Sequence, residues 1–228
     1  MSNILALDTS TDACSAALKL GDQYFERFEL APRQHTQLLL PMVESLLTEG
    51  GITVRDLSAI AFGRGPGSFA GIRIATGAAQ GLALAFETPV VPVSTLEALA
   101  EQAFSQSSET YVLATLDARM DEVYWAVYAQ SNGKVHALTH EQVTSPQQIT
   151  LPDEVTQCLA IGPGMRYQSG MLDSVLSKIH QSKPDEFPSA TTMLEIAHND
   201  FSQGEWVSPE SALPLYIRDG SWKKRNEQ

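Results

Sequence analysis

The sequence predicts a mixed α/β protein made of two similar lobes, each built on a mixed sheet. Three observations support this prediction. Both halves begin with an apolar run that ends in an aspartate, Asp8 in the first half and Asp117 in the second. In each half, further strands joined by tight turns follow, as in an antiparallel meander. Helical periodicity comes after the meander in both halves.

The first half is predicted to hold five strands and three helices. The strands are expected at residues 4–7, 14–20, 23–30, 58–62 and 89–93. The helices are expected at residues 38–47, 72–86 and 95–104. Pro41 either kinks the first helix or marks its start, because proline lacks the donor that the interior of a helix needs. Ser94 and Glu97 form a capping box for the third helix.

The second half repeats this plan after a polar stretch at residues 105–108. Strands are expected at residues 111–116, 122–129, 134–138 and 158–161, and a helix at residues 190–201. We therefore divide the chain into an N-terminal lobe at 1–105, a C-terminal lobe at 106–218 and a basic tail at 219–228. Such a duplication is what an actin-like or sugar-kinase-like (ASKHA) fold produces.

Net charge restricts the partners of the chain. The 228 residues include 27 acidic and 15 Lys or Arg residues, which gives a formal net charge of −12. Affinity for nucleic acids comes largely from cationic side chains that release condensed counterions. The composition therefore argues against an independent RNA or DNA binder, and equally against a protein of anionic membrane surfaces.

Two cysteines, Cys14 and Cys158, each lie in an apolar strand-like run, so we expect two buried free thiols in a reducing compartment. The first residues lack a basic leader, and no apolar run approaches the ~18 residues of a membrane span. The sequence therefore predicts a soluble cytoplasmic protein without a membrane partner.

A glycine-rich loop at residues 63–71 is the most distinctive segment. Glycines at the start of a helix can let backbone amides approach a phosphate, and a tight strand-to-helix connection without a ligand needs them equally. The loop lacks the Gly-Lys-Ser/Thr of a P-loop. A loose dinucleotide-binding pattern fails because Glu87 precedes the next strand instead of ending it. Ser68 does not lie in a nucleophile elbow.

Two other groups could carry chemistry. Residues 117–122 place three carboxylates around Arg119, and they could contact a nucleotide or a partner or form an internal Asp–Arg pair. His136 and His140 would suit zinc on a helix. Their segment is predicted as a strand, where four residues span roughly 13 Å, so we expect two exposed histidines and no metal site.

The helix predicted at residues 72–86 carries Gly77, Gly81 and Ala85 at intervals of four. A glycine costs about 1 kcal/mol inside a helix, so the pattern needs an offsetting gain. Close approach of another helix would supply it. That helix is either the leucine-rich helix of the same chain or part of a second protein.

Together these residues resemble the TsaB (YeaZ) family, which acts in threonylcarbamoyladenosine modification of tRNA. The matching segments are residues 5–11, 33–36, 63–69, 73–74, 80–83, 93–96, 117–124 and 214–218. They follow in order along nearly the whole chain, and the Gly-Arg-Gly-Pro-Gly-Ser-Phe block at 63–69 is the most specific.

The resemblance implies an actin-like fold and a role as the non-catalytic partner of a larger paralogue, TsaD. In that paralogue the corresponding helix carries two metal-binding histidines, whereas this sequence has Thr95 and Leu99 there. Neither side chain replaces an imidazole on a metal. Asp8 is followed by Thr9, where the actin-like phosphate turn usually has a glycine. A β-carbon at this position would obstruct the approach of the backbone to a phosphate. We therefore expect a degenerate active site, a pseudoenzyme without its own cofactor or metal.

The resemblance also implies a complex with TsaD and the ATPase TsaE, in which ATP and metal are bound by the partner subunits and tRNA is bound only by the assembly. Alone, the chain is expected to form a homodimer through the same surface. That interface is expected at Leu39, Met42, Val43, Leu46, Ile74, Gly77, Ala78 and Gly81. A nucleotide or ligand cleft would be lined by Asp8, Ser10, Arg64, Gly65, Gly67, Ser68, Asp117 and Arg119.

Three alternatives remain at this stage: an ATP-dependent sugar-kinase-like phosphotransferase, a glycoprotease-type hydrolase, and a nucleotide-binding module without catalysis. The missing glycine and histidines argue against the first two. The third stays open because Asp8, Ser68 and Asp117 could share a cleft. Residues 222–225 of the tail are basic and could add phosphate contacts within the complex.

Overall fold

The computed structural model describes residues 2–131 and 133–218. Position 132 of the predicted hairpin turn and the basic tail lie outside the described residues. The first sheet has the strand order β3-β2-β1-β4-β5. Its strands are β1 (Asn3–Asp8), β2 (Ala13–Leu20), β3 (Gln23–Leu30), β4 (Ala59–Gly65) and β5 (Val90–Ser94). β1, β2 and β3 pair antiparallel, whereas β1, β4 and β5 pair parallel.

The second sheet has the strand order β11-β10-β6-β7-β8, and β9 also pairs with β7. Read from β8 to β11, this arrangement repeats that of the first sheet. Its strands are β6 (Tyr111–Asp117), β7 (Val123–Ser131), β8 (Lys134–Ala137), β9 (Gln142–Thr144), β10 (Cys158–Ile161) and β11 (Ile179–Lys183). β6 takes the place of β1, with an antiparallel neighbour on one side and a parallel one on the other. The predicted duplication is therefore confirmed, and both sheets are mixed.

Five α-helices cover the sheets in the part of the chain that the structure describes. They are α1 (His35–Gly50), α2 (Phe69–Leu84), α3 (Thr95–Ser105), α4 (Asp173–Leu176) and α5 (Ala190–Gln203). α1 and α2 lie on one face of the first sheet and share a core with β1, β2 and β4. α5 covers the opposite face of the same sheet.

The packing of α3 and α5 corrects the predicted lobe boundaries. α3 belongs to the first half of the sequence, yet its apolar residues Leu96, Leu99 and Ala103 pack on the second sheet. α5 belongs to the second half, yet Met193 and Leu194 pack on the first sheet. Each sheet is thus covered in part by a helix from the other half of the sequence. A division at residue 105 therefore separates elements that share a core. Helical periodicity shows which side chains share a face of the helix, but it does not show which sheet that face packs against.

α1 begins at His35, so Pro41 lies inside the helix and does not mark its start. The strands β9 and β11 and the short α4 were not predicted, because their sequences show no clear apolar alternation. Cys14 and Cys158 are buried and free, as expected. In the described residues no helix is long and apolar enough to cross a membrane.

Candidate functional site

The glycine-rich loop is packed against the turn between β1 and β2. A Cβ built at Gly67 would lie 2.4 Å from the carbonyl oxygen of Ser10, and one built at Gly71 would lie 1.9 Å from that of Thr9. The amide of Ser68 donates to the carbonyl oxygen of Ser10 over 2.7 Å. These glycines are therefore required for close backbone packing within the chain. The alternative of a tight connection explains them without a phosphate.

Ser68 has a structural role in the same loop. It is the N-cap residue of α2, and its hydroxyl oxygen accepts a hydrogen bond of 3.4 Å from the amide of Gly71. A capping oxygen satisfies one of the free amides at a helix start. This position gives Ser68 a function in helix geometry.

Asp8 and Ser10 are fully buried, which corrects the prediction that they line an open cleft. Gly63 covers the Asp8 carboxylate, and the methyl of Met193 lies 3.2 Å from the position of a Gly63 Cβ. Asp8 accepts hydrogen bonds from the amide and the hydroxyl of Ser10, at 3.3 and 2.9 Å. Burial raises the pKa of Asp8 to about 7, although both hydrogen bonds oppose the shift.

Arg64 joins the two lobes. Its two terminal nitrogens each donate to Glu141 over 3.1 Å, in the parallel geometry that suits a guanidinium and a carboxylate. Ser94, the N-cap of α3, donates its hydroxyl to the same carboxylate. The backbone oxygen of Arg64 accepts from the amide of Leu215 over 2.8 Å, while its neighbour Gly65 is buried. Arg64 is therefore occupied by contacts within the chain.

A cavity of about 430 Å³ lies beside this ion pair. Its lining residues come from both lobes and from the C-terminal segment: Arg64, Glu97, Tyr128, Ala137, Thr139, His140, Glu141, Leu215 and Ile217. Within the described chain the Glu97 carboxylate lines this cavity and makes no hydrogen bond, so Ser94 caps α3 without the reciprocal half of a capping box. Burial, with a smaller contribution from the Asp200 carboxylate, raises the pKa of Glu97 to about 7.

Asp117 holds two guanidinium groups at the turn between β6 and β7. Arg119 and Arg166 each lie 3.1 Å from the same carboxylate oxygen, and the Tyr167 hydroxyl donates to the other oxygen over 3.1 Å. The internal Asp–Arg pair foreseen from the sequence is therefore present. Residues 119–121 all have positive φ values between 56° and 62°, a conformation that costs energy in non-glycine residues.

Among the described residues no group of three or more His, Cys, Asp or Glu side chains is arranged to hold a metal. Thr95 and Leu99 are both fully buried on α3. His136 and His140 are exposed, as predicted.

Four residues expected at a partner interface are buried inside the chain, which corrects that part of the prediction. Leu39, Met42, Val43 and Leu46 pack with β1, β2 and β4 in the core of the first lobe. Their apolar spacing marks the face of α1 that covers the sheet, so these side chains are not available on the surface.

The outward face of α2 is different. Gly77 and Gly81 are exposed, and a Cβ built at either position would meet no atom within 4 Å. Ile74 and Ala78 are half-buried beside them. Packing against the leucine-rich α1 therefore does not explain the two glycines. Of the two alternatives drawn from the sequence, this leaves contact with a second protein as the one that could offset their cost in helix stability.

An aromatic and cationic cluster extends this face at the start of α2. The Arg73 guanidinium lies 3.6 Å from the centre of the Phe69 ring, and its Nε donates to the Tyr216 hydroxyl over 2.7 Å. The two rings lie 5.9 Å apart. No role was predicted from the sequence for Phe69, Arg73, Tyr216 or Glu141. The signal for Tyr216 was the segment at 214–218, which carried the family resemblance without a stated function.

Comparisons with known proteins agree with this architecture. A family model described as TsaD, tRNA N6-adenosine threonylcarbamoyltransferase, matches residues 28–182. The tRNA threonylcarbamoyladenosine biosynthesis protein TsaB of Escherichia coli K12 is 42% identical over 225 residues, which cover 97% of each chain. The protein of the same name in Haemophilus influenzae is 36% identical and covers 97% of this chain and 96% of its own. The structure of YeaZ from Pseudomonas aeruginosa superimposes with a TM-score of 0.90 at 41% identity, covering 95% of this chain and all of that one.

Proposed function

This chain belongs to the TsaB (YeaZ) family of tRNA threonylcarbamoyladenosine biosynthesis proteins, and we propose that it is the non-catalytic partner that binds and activates TsaD. In this role it supports installation of the threonylcarbamoyl group on adenosine 37 of tRNA in the cytoplasm. The family gives the pathway. The division of labour between subunits is our proposal.

The observation that carries the proposal is the exposed glycine face of α2. Two open glycines on a 16-residue helix permit another helix to approach closely, which is the usual reason to tolerate their cost. TsaD is a suitable partner because it shares the fold of this chain: the TsaD family model covers most of the sequence. Two chains of one fold can pair through equivalent surfaces about a pseudo-twofold axis, and the same logic predicts a homodimer when TsaD is absent.

Three features support the absence of catalysis in this subunit. Gly63 packs directly on the Asp8 carboxylate, and the chain's own backbone occupies the space next to the glycines at 67 and 71. Thr95 and Leu99 stand where the paralogue is expected to carry metal-binding histidines, and both are buried. We therefore assign ATP, the metal ion and the transfer reaction to TsaD and the ATPase TsaE.

Charge supports the same division. A chain with a net charge of −12 is poorly suited to hold tRNA alone, so we assign RNA binding to the assembled complex.

The test is reconstitution of tRNA modification from purified TsaD, TsaE, ATP and tRNA, with and without this chain. We expect modification to require it, and full activity without it would remove the proposed role. Gly77→Arg places a bulky group on the exposed face of α2 and should abolish co-purification with TsaD. Asn199→Arg is the matched control, because it lies exposed on α5 on the opposite side of the first sheet. Gly77→Arg should melt no lower than wild type, because arginine is also favoured over glycine in a helix, and Asn199→Arg should melt close to wild type.

The rival class of function is an ATP-dependent phosphotransferase. Calorimetry of the isolated chain with Mg-ATP separates the two, since our proposal expects neither turnover nor tight binding. Tight binding with release of phosphate would favour the rival.

A further inference from the structure

The C-terminal segment, residues 212–217, runs along the edge of α2. The Gln80 side-chain amide donates to the carbonyl oxygen of Ala212 over 2.9 Å, and Arg73 donates to the Tyr216 hydroxyl over 2.7 Å. Gln80 and Arg73 are separated by about 10 Å along a helix, and four extended residues span about 13 Å. The segment therefore lies antiparallel to α2, in contact with it near both ends.

This course places the segment on the side of α2 away from α1. α1 packs over β2 and α2 over β4, on the same face of the first sheet. The segment reaches α2 from the outer strand β5, where Val207 and Val90 form an antiparallel bridge. The exposed glycine face of α2 is thus flanked by α1 on one side and by the C-terminal segment on the other.

Large apolar side chains are exposed along this flank. Leu213 is 67% exposed, Phe69 48% and Tyr216 47%. Arg73 is stacked on Phe69 and hydrogen-bonded to Tyr216, so its guanidinium is held in place at the end of the glycine face. Tyrosine and arginine are the residue types that most often dominate binding energy at protein interfaces. Exposed apolar groups gathered around a fixed charge are typical of such a surface.

We propose that Leu213 and Tyr216, together with Phe69 and Arg73, form the second half of the surface that binds the catalytic paralogue. The docking element of the partner is a helix that lies along Gly77 and Gly81 and carries a carboxylate opposite Arg73. This inference rests on the proposed function.

The spacing of Gly77 and Arg73 on α2 and the charge of Arg73 indicate what the partner helix must present. Arg73 lies one turn before Gly77, about 6 Å along the axis, so a helix seated on both glycines continues over Arg73 and Tyr216. Arg73 is the one charged residue in the sequence of α2. A carboxylate is the complementary group, and a guanidinium fork binds it in two parallel hydrogen bonds.

The test measures the dissociation constant between this full-length chain and purified TsaD by calorimetry. We expect Leu213→Ser, Tyr216→Ala and Arg73→Glu each to weaken binding at least tenfold. Tyr216→Phe keeps the ring and removes the hydroxyl that holds Arg73, so it should weaken binding less than Tyr216→Ala. Leu30→Ser is the matched control, since Leu30 is 58% exposed on β3, and it should stay within twofold of wild type. Melting temperatures close to wild type establish that each variant is folded.

Gly77→Arg separates this inference from the proposed function. If Gly77→Arg abolishes binding while Leu213→Ser, Tyr216→Ala and Arg73→Glu stay within twofold of wild type, the inference is overturned and the proposed function stands. If Gly77→Arg also binds normally, the glycine face of α2 is not the docking surface and the inference is overturned, whereas absence of binding between the wild-type chain and TsaD would refute the proposed function. If the three flank variants alter only self-association of this chain, measured by analytical ultracentrifugation, the occupant is a second copy and the inference is again overturned.

Discussion

The carboxylate of Asp8 lies directly against Gly63: a Cβ built at Gly63 would be 2.0 Å from Oδ1 and 3.1 Å from Cγ of Asp8. Asp8 cannot move away, because it is fully buried and bound twice to Ser10. Gly63→Ala should therefore lower the free energy of unfolding by about 1–3 kcal/mol, the usual cost of overpacking a core.

Gly77→Ala is the matched control and should have the opposite sign. The added methyl meets no atom within 4 Å, and alanine is favoured over glycine in a helix by about 1 kcal/mol. Urea unfolding followed by circular dichroism measures both variants. Equal stability of Gly63→Ala and wild type would contradict the packing at Asp8.

Stability should also depend on the protonation of Asp8. Its pKa in the folded protein is raised to about 7 from 3.8, so the native state binds a proton more tightly than the unfolded chain. The contribution of this group is therefore fully favourable below about pH 4, declines as the pH rises towards 7, and is constant above that. The decline amounts to at most about 4 kcal/mol.

Asp8→Asn tests this dependence, because asparagine can accept from the Ser10 amide and donate to its hydroxyl. We expect the variant to be more stable than wild type at pH 8, with a difference that shrinks as the pH falls towards 4. Asp22→Asn, at an exposed turn position, should follow the wild-type profile. Parallel profiles of Asp8→Asn and wild type across this range would show that Asp8 is already ionised when buried.

Both cysteines should be unreactive in the folded protein. Burial raises the pKa of each thiol to about 11, with Asp8 adding to the effect at Cys14 and Glu109 at Cys158. The thiolate is the reactive form, and both residues are inaccessible. A thiol-specific chromogenic reagent at pH 8 should label neither cysteine in the native protein and both in guanidinium chloride. Rapid labelling of one native thiol would contradict the burial at that site.

The sequence predicted the duplicated sheets because strand alternation and turn residues are local signals. It did not predict what covers each helix face. The spacing of Leu39 and Val43 indicates burial and is the same whether a sheet or a partner lies opposite, so these residues were assigned to the wrong surface. Gly77 lies on the outward face of α2, and packing within the described residues does not offset its cost in a helix, so its assignment to an interface stays a prediction.

The prediction that Asp8 and Ser10 line a cleft was wrong for a similar reason. Asp8 and Asp117 occupy equivalent strand ends, and the duplication correctly relates them. The burial of Asp8 depends on Gly63, which packs on its carboxylate, and on Gly67, which packs against Ser10 in the turn after β1. Neither the bond between Arg64 and Glu141 nor the flank at Tyr216 has a local signature, because each joins positions more than 70 residues apart.

The ion pair between Arg64 and Glu141 should contribute more to stability than an exposed pair in the same chain. Its side chains are 26% and 14% exposed and meet through two hydrogen bonds, whereas those of Arg27 and Glu49 are 35% and 48% exposed. Glu141→Gln should cost about 1–3 kcal/mol, the range for hydrogen bonds to charged groups, and Glu49→Gln no more than about 0.5 kcal/mol.

A double-mutant cycle with Arg64→Leu isolates the coupling between Arg64 and Glu141. Raising the salt concentration to 1 M, where the screening length falls to about 3 Å, should reduce the cost of Glu49→Gln and leave most of that of Glu141→Gln. Equal costs for the two glutamine variants would mean that Arg64 is solvated in the cavity and that other contacts hold the lobes together.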